Sequence, residues 1–393
     1  VNNDEYPDLY ISNDYDSPDR LYVNQQNGTF KEEIKERMTH VALYSMGNDY
    51  ADLNNDGFGE IVALDMSAED HVRIKTQMGA NAPEKFYELV KFGFPHQYMY
   101  NSLQYNNGNG TFSDIAQLAG ISSTDWSWAP LIADFDNDGF KDIFISNGYR
   151  LDDRDNDFNK RALREFGDRA KVKKENRRKV FDLTPSTPIS NYMYQNDGDL
   201  TFSKKTYEWN LGEKGFSMGS AFCDLDKDGD LDLIVNNLEK ESFIYKNNSS
   251  EKNNNNYLRV KLNFDGKSVV GTKVELKTTT FSQTQFINPT RGYVSSVEKI
   301  AHFGIPNGET IKQIIVTWPD RTVKVYTDLK LNQEVEIFYS DGKAKGPKET
   351  QVKKIFEHIE IEGLTYTHQE NSYDDFEKEI LLPHRNSQHG PEI

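Results

Sequence analysis

Apolar runs of four to six residues, each following an acidic turn, punctuate the first 248 residues. They read LYISND (9–14), IVALDM (61–66), IFISNG (143–148) and LIVNNL (233–238). Runs this short and rich in β-formers predict apolar strands. A second pattern alternates with the first: LYVNQQNGTF (21–30), LQYNNGNGTF (103–112) and MYQNDGDLTF (193–202), with a fourth start, IYKN, at 244–247. Apolar residues, an Asn/Gly turn and a closing Phe predict a hairpin. Ser45, Ser127 and Ser217 each stand seven residues before a full acidic turn.

Units of this kind cannot bury their faces alone. They must stack, and radial stacking gives a β-propeller. Two stretches break the period, 67–98 and 150–182, and both read as helical insertions. The second is basic in an acidic protein. It suits a solvated helix lying on the propeller, or a docking site for an acidic partner.

After a polar run the texture changes. YLRVKLNF, TKVELKTT, IKQIIVTWP, TVKVYTDL and EVEIFY alternate with period two, as half-buried antiparallel strands do. The expected organisation is a propeller over 1–248, a linker over 249–256 and a β-sandwich over 257–341. A second linker (342–355) and the start of a further, incomplete propeller-type domain (356–393) follow. The fold class is mainly β. The chain begins at Val1 inside what reads as a cut copy of the repeat, so it is expected to be an internal piece of a longer protein.

Composition narrows the function. The 393 residues carry 63 Asp and Glu against 46 Lys and Arg, a net charge of −17. That balance disfavours nucleic acid, whose phosphates require clustered cations, and anionic membrane. One cysteine, Cys223, excludes an internal disulfide. No apolar run approaches the roughly 18 residues of a membrane span.

The acidic turns carry the candidate chemistry. In ADFDNDGFKDIF (133–144), Asp134, Asp136 and Asp138 alternate through a turn that contains Gly139. Phe140 offers a backbone carbonyl and Asp142 closes the ring. This is an oxygen cage for a hard divalent cation. Calcium, which accepts 6–8 oxygens in flexible geometry, fits better than magnesium, and zinc would want His or Cys. The same order gives Asp52, Asn54, Asp56, Phe58 (carbonyl) and Glu60 in the first full loop. The third has Asp224, Asp226, Asp228, Asp230 (carbonyl) and Asp232. Asn54 lowers the charge of the first loop and is expected to weaken it. Asn2, Asp4, Tyr6 (carbonyl) and Asp8 match the later positions of a fourth loop, so three to four ions are expected. An EF-hand is excluded, because position twelve is Ala63, Ile145 or Val235 where that motif needs Glu.

These D-x-[DN]-x-D-G-x-x-[DE] loops running into a strand resemble the FG-GAP/VCBS repeats of integrin-α-type propellers. Residues 257–341 contain Arg291-Gly292-Tyr293, Ser295-Ser296, His302-Phe303-Gly304 and Trp318-Pro319-Asp320. They resemble the ASPIC/UnbV domain that follows such repeats in cartilage-acidic-protein-like proteins. The resemblance implies calcium in the loops and a place outside the cell or on a bacterial outer-membrane surface, with room for a lipid anchor upstream.

Little points to catalysis. His302 reads as structural, and His358, His368, His384 and His389 lack tight metal spacing. Trp126 and Trp128 suit blade core, with a sugar-stacking platform as the sharper alternative. The expectation is a non-enzymatic, calcium-binding extracellular or cell-surface protein that engages a protein partner, in adhesion or as an accessory subunit of an outer-surface assembly. A lectin, or a hydrolase or lyase acting on polysaccharide, is the alternative, and a glycan is then the ligand.

Overall fold

The computed structural model describes residues 1–339 apart from 16, 78–82 and 168–173. The linker expected over 342–355, the segment 356–393 and its four histidines lie outside the described residues.

Four antiparallel sheets succeed one another along the propeller region, each ordered as its strands occur in the chain. The first holds Leu9–Ile11, Arg20–Asn24 and Phe30–Glu32. The second holds Asn48–Ala51, Glu60–Ala63, Ser102–Asn106 and Phe112–Asp114. The third holds Ser127–Ala133, Asp142–Asn147, Tyr192–Asn196 and Phe202–Lys204. The fourth holds Ser217–Cys223, Asp232–Asn237 and Phe243–Tyr245. Each full acidic loop joins the first strand of its sheet to the second. The Asn/Gly hairpins form the outer pairs, with Asn196 facing Phe202 and Asn106 facing Phe112.

The apolar core lies between successive sheets, which act as blades. Ile143 and Ile145 face the second blade, where they join Leu53, Val62 and Leu103. Phe144, between them in sequence, faces the fourth, among Phe222, Leu233 and Val235. Period two thus sends neighbours to opposite interfaces. This is why the strand Asp142–Asn147 is buried throughout and reads as an unbroken apolar run.

The helical insertions form as expected, as His71–Gln77 and Pro83–Lys91 in one and Asn156–Phe166 and Lys174–Leu183 in the other. Asp155 caps the third of these, accepting from Phe158 N–H. The run 249–256 departs from expectation. It holds a short helix, Ser249–Asn253, and the next strand starts at Asn256. Ser250 donates from its N–H and its hydroxyl to Asp230, each at 2.9 Å, and Asn255 Nδ2 reaches the Asp136 carbonyl. Ser250 and Asn255 thus serve the acidic loops, while 251–254 remain exposed.

The sandwich pairs Lys273–Thr278 with Ser282–Phe286 and Ile311–Thr317 in one sheet, extended by Val323–Tyr326. Its other sheet centres on Asn256–Asn263. Leu258, Val260, Leu276, Phe303, Val316 and Trp318 fill the space between them. One pairing differs from the all-antiparallel expectation: Gln333–Phe338 runs parallel to Asn256–Asn263. Alternation in EVEIFY fixes which face is buried and carries no information on direction.

The sandwich is seated on the acidic ends of the blades. Its hairpin Thr290–Arg291/Ser295–Ser296 lies along their first strands. Gly292 bridges to Asn48, Tyr293 packs on Trp128 at 4.9 Å, and Ser295 Oγ accepts from Ser220 N–H. Arg291 donates to buried Asp49 at 2.7 Å, and Asp49 also accepts from Ile132 N–H. Gly292 has φ +59°, and a Cβ there would lie 2.9 Å from that of Ala129. A Cβ on Gly304 would lie 2.1 Å from Asp134 Oδ2 and 2.4 Å from Asn137 Cα. The Gly304→Ala variant is expected to lose about 1–3 kcal/mol or more of stability. A chemical denaturation curve matching the parent would contradict this seating.

Candidate metal centre

The three full loops fold alike because the same side chains tie the same backbone groups. The first Asp accepts from the glycine N–H at position six: Asp52 from Gly57 (3.0 Å), Asp134 from Gly139 (2.9 Å) and Asp224 from Gly229 (3.2 Å). The position-five carboxylate accepts from the residue two further on. Asp56 takes Phe58 N–H, Asp138 takes Phe140 N–H and Asp228 takes Asp230 N–H. This fixes the backbone at the residues whose carbonyls the sequence assigned to the ion. The cut loop follows the same rule, with Asp4 accepting from Tyr6 N–H. Asn2 sits there at position three, its Oδ1 3.3 Å from Asp4 N–H. The position-nine acid accepts from the residue after the first Asp: Glu60 from Leu53, Asp142 from Phe135 and Asp232 from Leu225. Asp8 accepts from the Val1 nitrogen at 2.7 Å in the equivalent place.

The loops bring carboxylates together. Oxygens of Asp134, Asp136 and Asp138 lie within 4.8 Å of one another, and so do those of Asp224, Asp226 and Asp232. The first loop gathers no such trio; Asn54 stands at position three there, and its amide donates to Asp56 at 2.9 Å. Asp52 Oδ1, Glu60 Oε1 and Asp224 Oδ1 are buried without a hydrogen-bond partner. Buried carboxylate oxygens lacking donors are costly unless a cation completes them. An all-oxygen donor set with orphaned anionic atoms therefore fits a hard divalent ion.

Electrostatics agree. Burial, then repulsion from Asp138 and Asp136, pushes the Asp134 carboxyl far above its usual range. Asp142 is raised likewise, by burial and by Asp136 and Asp134. Burial, then Asp136, raises Asp138 to about 7, and burial above all raises Glu60 to about 8. Lys141, also buried, donates to the Asp52 carbonyl at 2.8 Å.

Sequence reasoning missed two sets of residues that join one loop to the next. The first is the asparagine at position four. Asn3, Asn55 and Asn137 all have φ near +60°, and each side chain crosses to the next blade. Asn3 reaches the Gly57 carbonyl (2.8 Å), Asn55 that of Gly139 (2.9 Å) and Asn137 that of Gly229 (3.2 Å). The second is the asparagine of the hairpin strand. Asn196 N–H donates to Asp142, while its amide donates to the Lys141 carbonyl and to Leu53 O of the preceding blade. Asn247 does the same with Asp232, Leu231 and Phe135, and Asn106 bridges Gly59 and Val1. The signal was present, since every hairpin begins with an apolar residue followed three positions later by Asn.

His302 belongs to this belt. Its Nε2 meets Asn137 Oδ1 at 2.8 Å, and burial holds its pKa down to about 3, so the ring is neutral. Trp128 is buried, with Nε1 on the Gly148 carbonyl. Trp126 stacks on Tyr149 at 4.0 Å and carries the Arg154 guanidinium at 5.8 Å. Both indoles are thus engaged within the protein. Residues 224–232 have their own counter-charges. Lys246 is ion-paired with Asp226 and lies 3.5 Å from Asp228, and Arg259 of the sandwich lies 3.2 Å from Asp224. The Lys246 contact holds Asp226 below the usual carboxylate range.

Two outcomes follow from this geometry. Replacing Asn196 by Ala leaves two buried carbonyls without donors and should cost about 1–3 kcal/mol; urea unfolding measures it. For pH, the raised acids keep their protons in the ion-free fold but ionise near pH 4 once unfolded. Stability in EGTA should therefore fall as pH rises from about 4 towards 8, and saturating divalent ion should flatten the slope. Melting temperatures across that window check the sign.

The FG-GAP-like repeat family matches residues 1–63, 93–145 and 183–235, and the ASPIC and UnbV family matches 265–344. Mouse cartilage acidic protein 1 is 27% identical over 350 residues, covering 86% of this chain and 44% of that protein. The Xenopus tropicalis protein of that name is 29% identical, covering 61% and 41%. The human one is 27% identical, covering 84% and 42%. The chain spans less than half the length of these curated relatives. It belongs to the FG-GAP-repeat proteins that carry an ASPIC/UnbV domain.

Proposed function

We propose that this chain is a non-enzymatic, calcium-stabilised binding protein that works outside the cell or on its surface. The observation that carries the reading is the row of acidic loops. Each is built to the same hydrogen-bond plan, carboxylate oxygens in two of them lack donors, and each is tied to the next by an asparagine. Calcium would supply charge neutralisation and oxygen coordination. Asp134, Asp136, Asp138 and Asp142 would hold it in the second loop, and the corresponding residues of the first and third would hold it there.

The FG-GAP and ASPIC/UnbV assignments favour protein binding in an extracellular setting, and the relatives carry a name that speaks of cartilage and acidity. Among the described residues no helix is long and apolar enough to cross a membrane. The binding role uses the rigid blades as a platform and the helical insertions as surfaces for a protein partner.

Thermal unfolding tests the calcium half. A ligand present at 100 times its dissociation constant stabilises by roughly 2.7 kcal/mol per site. Calcium should raise the melting temperature by several degrees and EGTA should reverse it. Identical curves in the two buffers would overturn the reading.

A further inference from the structure

Chemistry distinguishes the third full loop from the other two. In the third and fourth blades the residue before the hairpin asparagine faces position three of its own loop. In the third blade it is Gln195, whose amide donates to Asp136 at 2.7 Å. In the first and second blades it is Val23 and Tyr105. In the fourth blade it is Lys246, whose ammonium is paired with Asp226 and lies 3.5 Å from Asp228. A second cation comes from the sandwich. Arg259, with 6% of its side chain exposed, lies 3.2 Å from Asp224 and also pairs with Glu298 and Glu334. Asp224 Oδ1 stays buried without a partner. Two fixed positive charges therefore stand at the ligand carboxylates of this loop.

We propose that Lys246 and Arg259 are built-in counter-ions of the loop 224–232, so that this loop holds a divalent cation much more weakly than the loop 134–142. The proposal rests on the calcium reading and grades its sites. An ion entering the third loop must displace the Lys246 ammonium from Asp226 and share Asp224 with a guanidinium that cannot leave without unseating the sandwich. Among the described residues no lysine or arginine is ion-paired with a carboxylate of the loop 134–142, and only the longer-range charges of Lys141 on Asp134 and Lys205 on Asp136 act there. Its four carboxylates meet a neutral glutamine, a neutral histidine ring through Asn137, and Lys141, whose ammonium is spent on a carbonyl of the first loop. The sandwich thus closes the fourth blade with its own charge, where a neighbouring ion would otherwise be needed.

The test is calcium titration of the full chain by flow dialysis, comparing the parent with Lys246→Gln and Lys246→Met. Lys246 is half exposed, so both variants are expected to fold; the melting curve in calcium checks this. The parent should show one fewer site than the variants in the micromolar range. A unit charge at this distance near the surface is worth about five- to tenfold or more in affinity, so each variant should gain a site tightened by at least that factor. Equal site numbers and equal affinities in parent and variants would overturn the proposal. Absence of saturable binding in all three proteins would overturn the calcium reading and the proposal with it.

Discussion

Repulsion between buried carboxylates is the constraint on which the rest of the structure depends. Asp134 and Asp142 are both almost fully buried, with Asp136 and Asp138 close by. No packing of apolar side chains can relieve that charge. It must be met by hydrogen-bond donors, by fixed cations or by a bound ion. The chain uses backbone N–H groups at every loop, Lys141 beside the first loop, and Lys246 and Arg259 at the third. What these leave over is the place where the proposed divalent ion would sit.

That electrostatic demand and the apolar packing between blades are linked through a few polar side chains. Ile132, Ile143 and Phe144 set how far one blade stands from the next. Asn55, Asn137 and Asn196 then span that distance at the loop end. An ion that orders one loop therefore acts on a backbone already bonded to its neighbour. The sandwich joins the same belt through His302 on Asn137 and through Gly304, whose missing side chain lets the strand lie against Asp134. ASPIC/UnbV and FG-GAP parts share a buried seam here, including the Arg291–Asp49 pair, and the hairpin 290–296 is held along three blades.

Much of this was legible in the sequence. The loops, the hairpins and the insertions are local patterns, and local hydrogen bonding decides them. Arg291-Gly292-Tyr293 and His302-Phe303-Gly304 were visible as motifs, but their meaning was not, because their partners lie at least 160 positions away in sequence at Asp49, Ala129 and Asn137. The run at 249–256 has the composition of a linker. Its Ser250 is spent on Asp230, and its Asn253 and Asn255 on the Asp136 carbonyl, which composition cannot reveal. The parallel direction of Gln333–Phe338 was hidden for the same kind of reason, since alternation is the same in both directions. Lys246 carries no sequence signal of its own, because only the fold sets it beside Asp226.

The central claim is that a divalent cation completes the buried carboxylate ring of the second full loop. The most direct measurement is an anomalous difference map from crystals grown in calcium. The account predicts a peak enclosed by Asp134, Asp136, Asp138, Asp142 and the Phe140 carbonyl. A featureless map at that position, with the four side chains turned out to solvent, would contradict it.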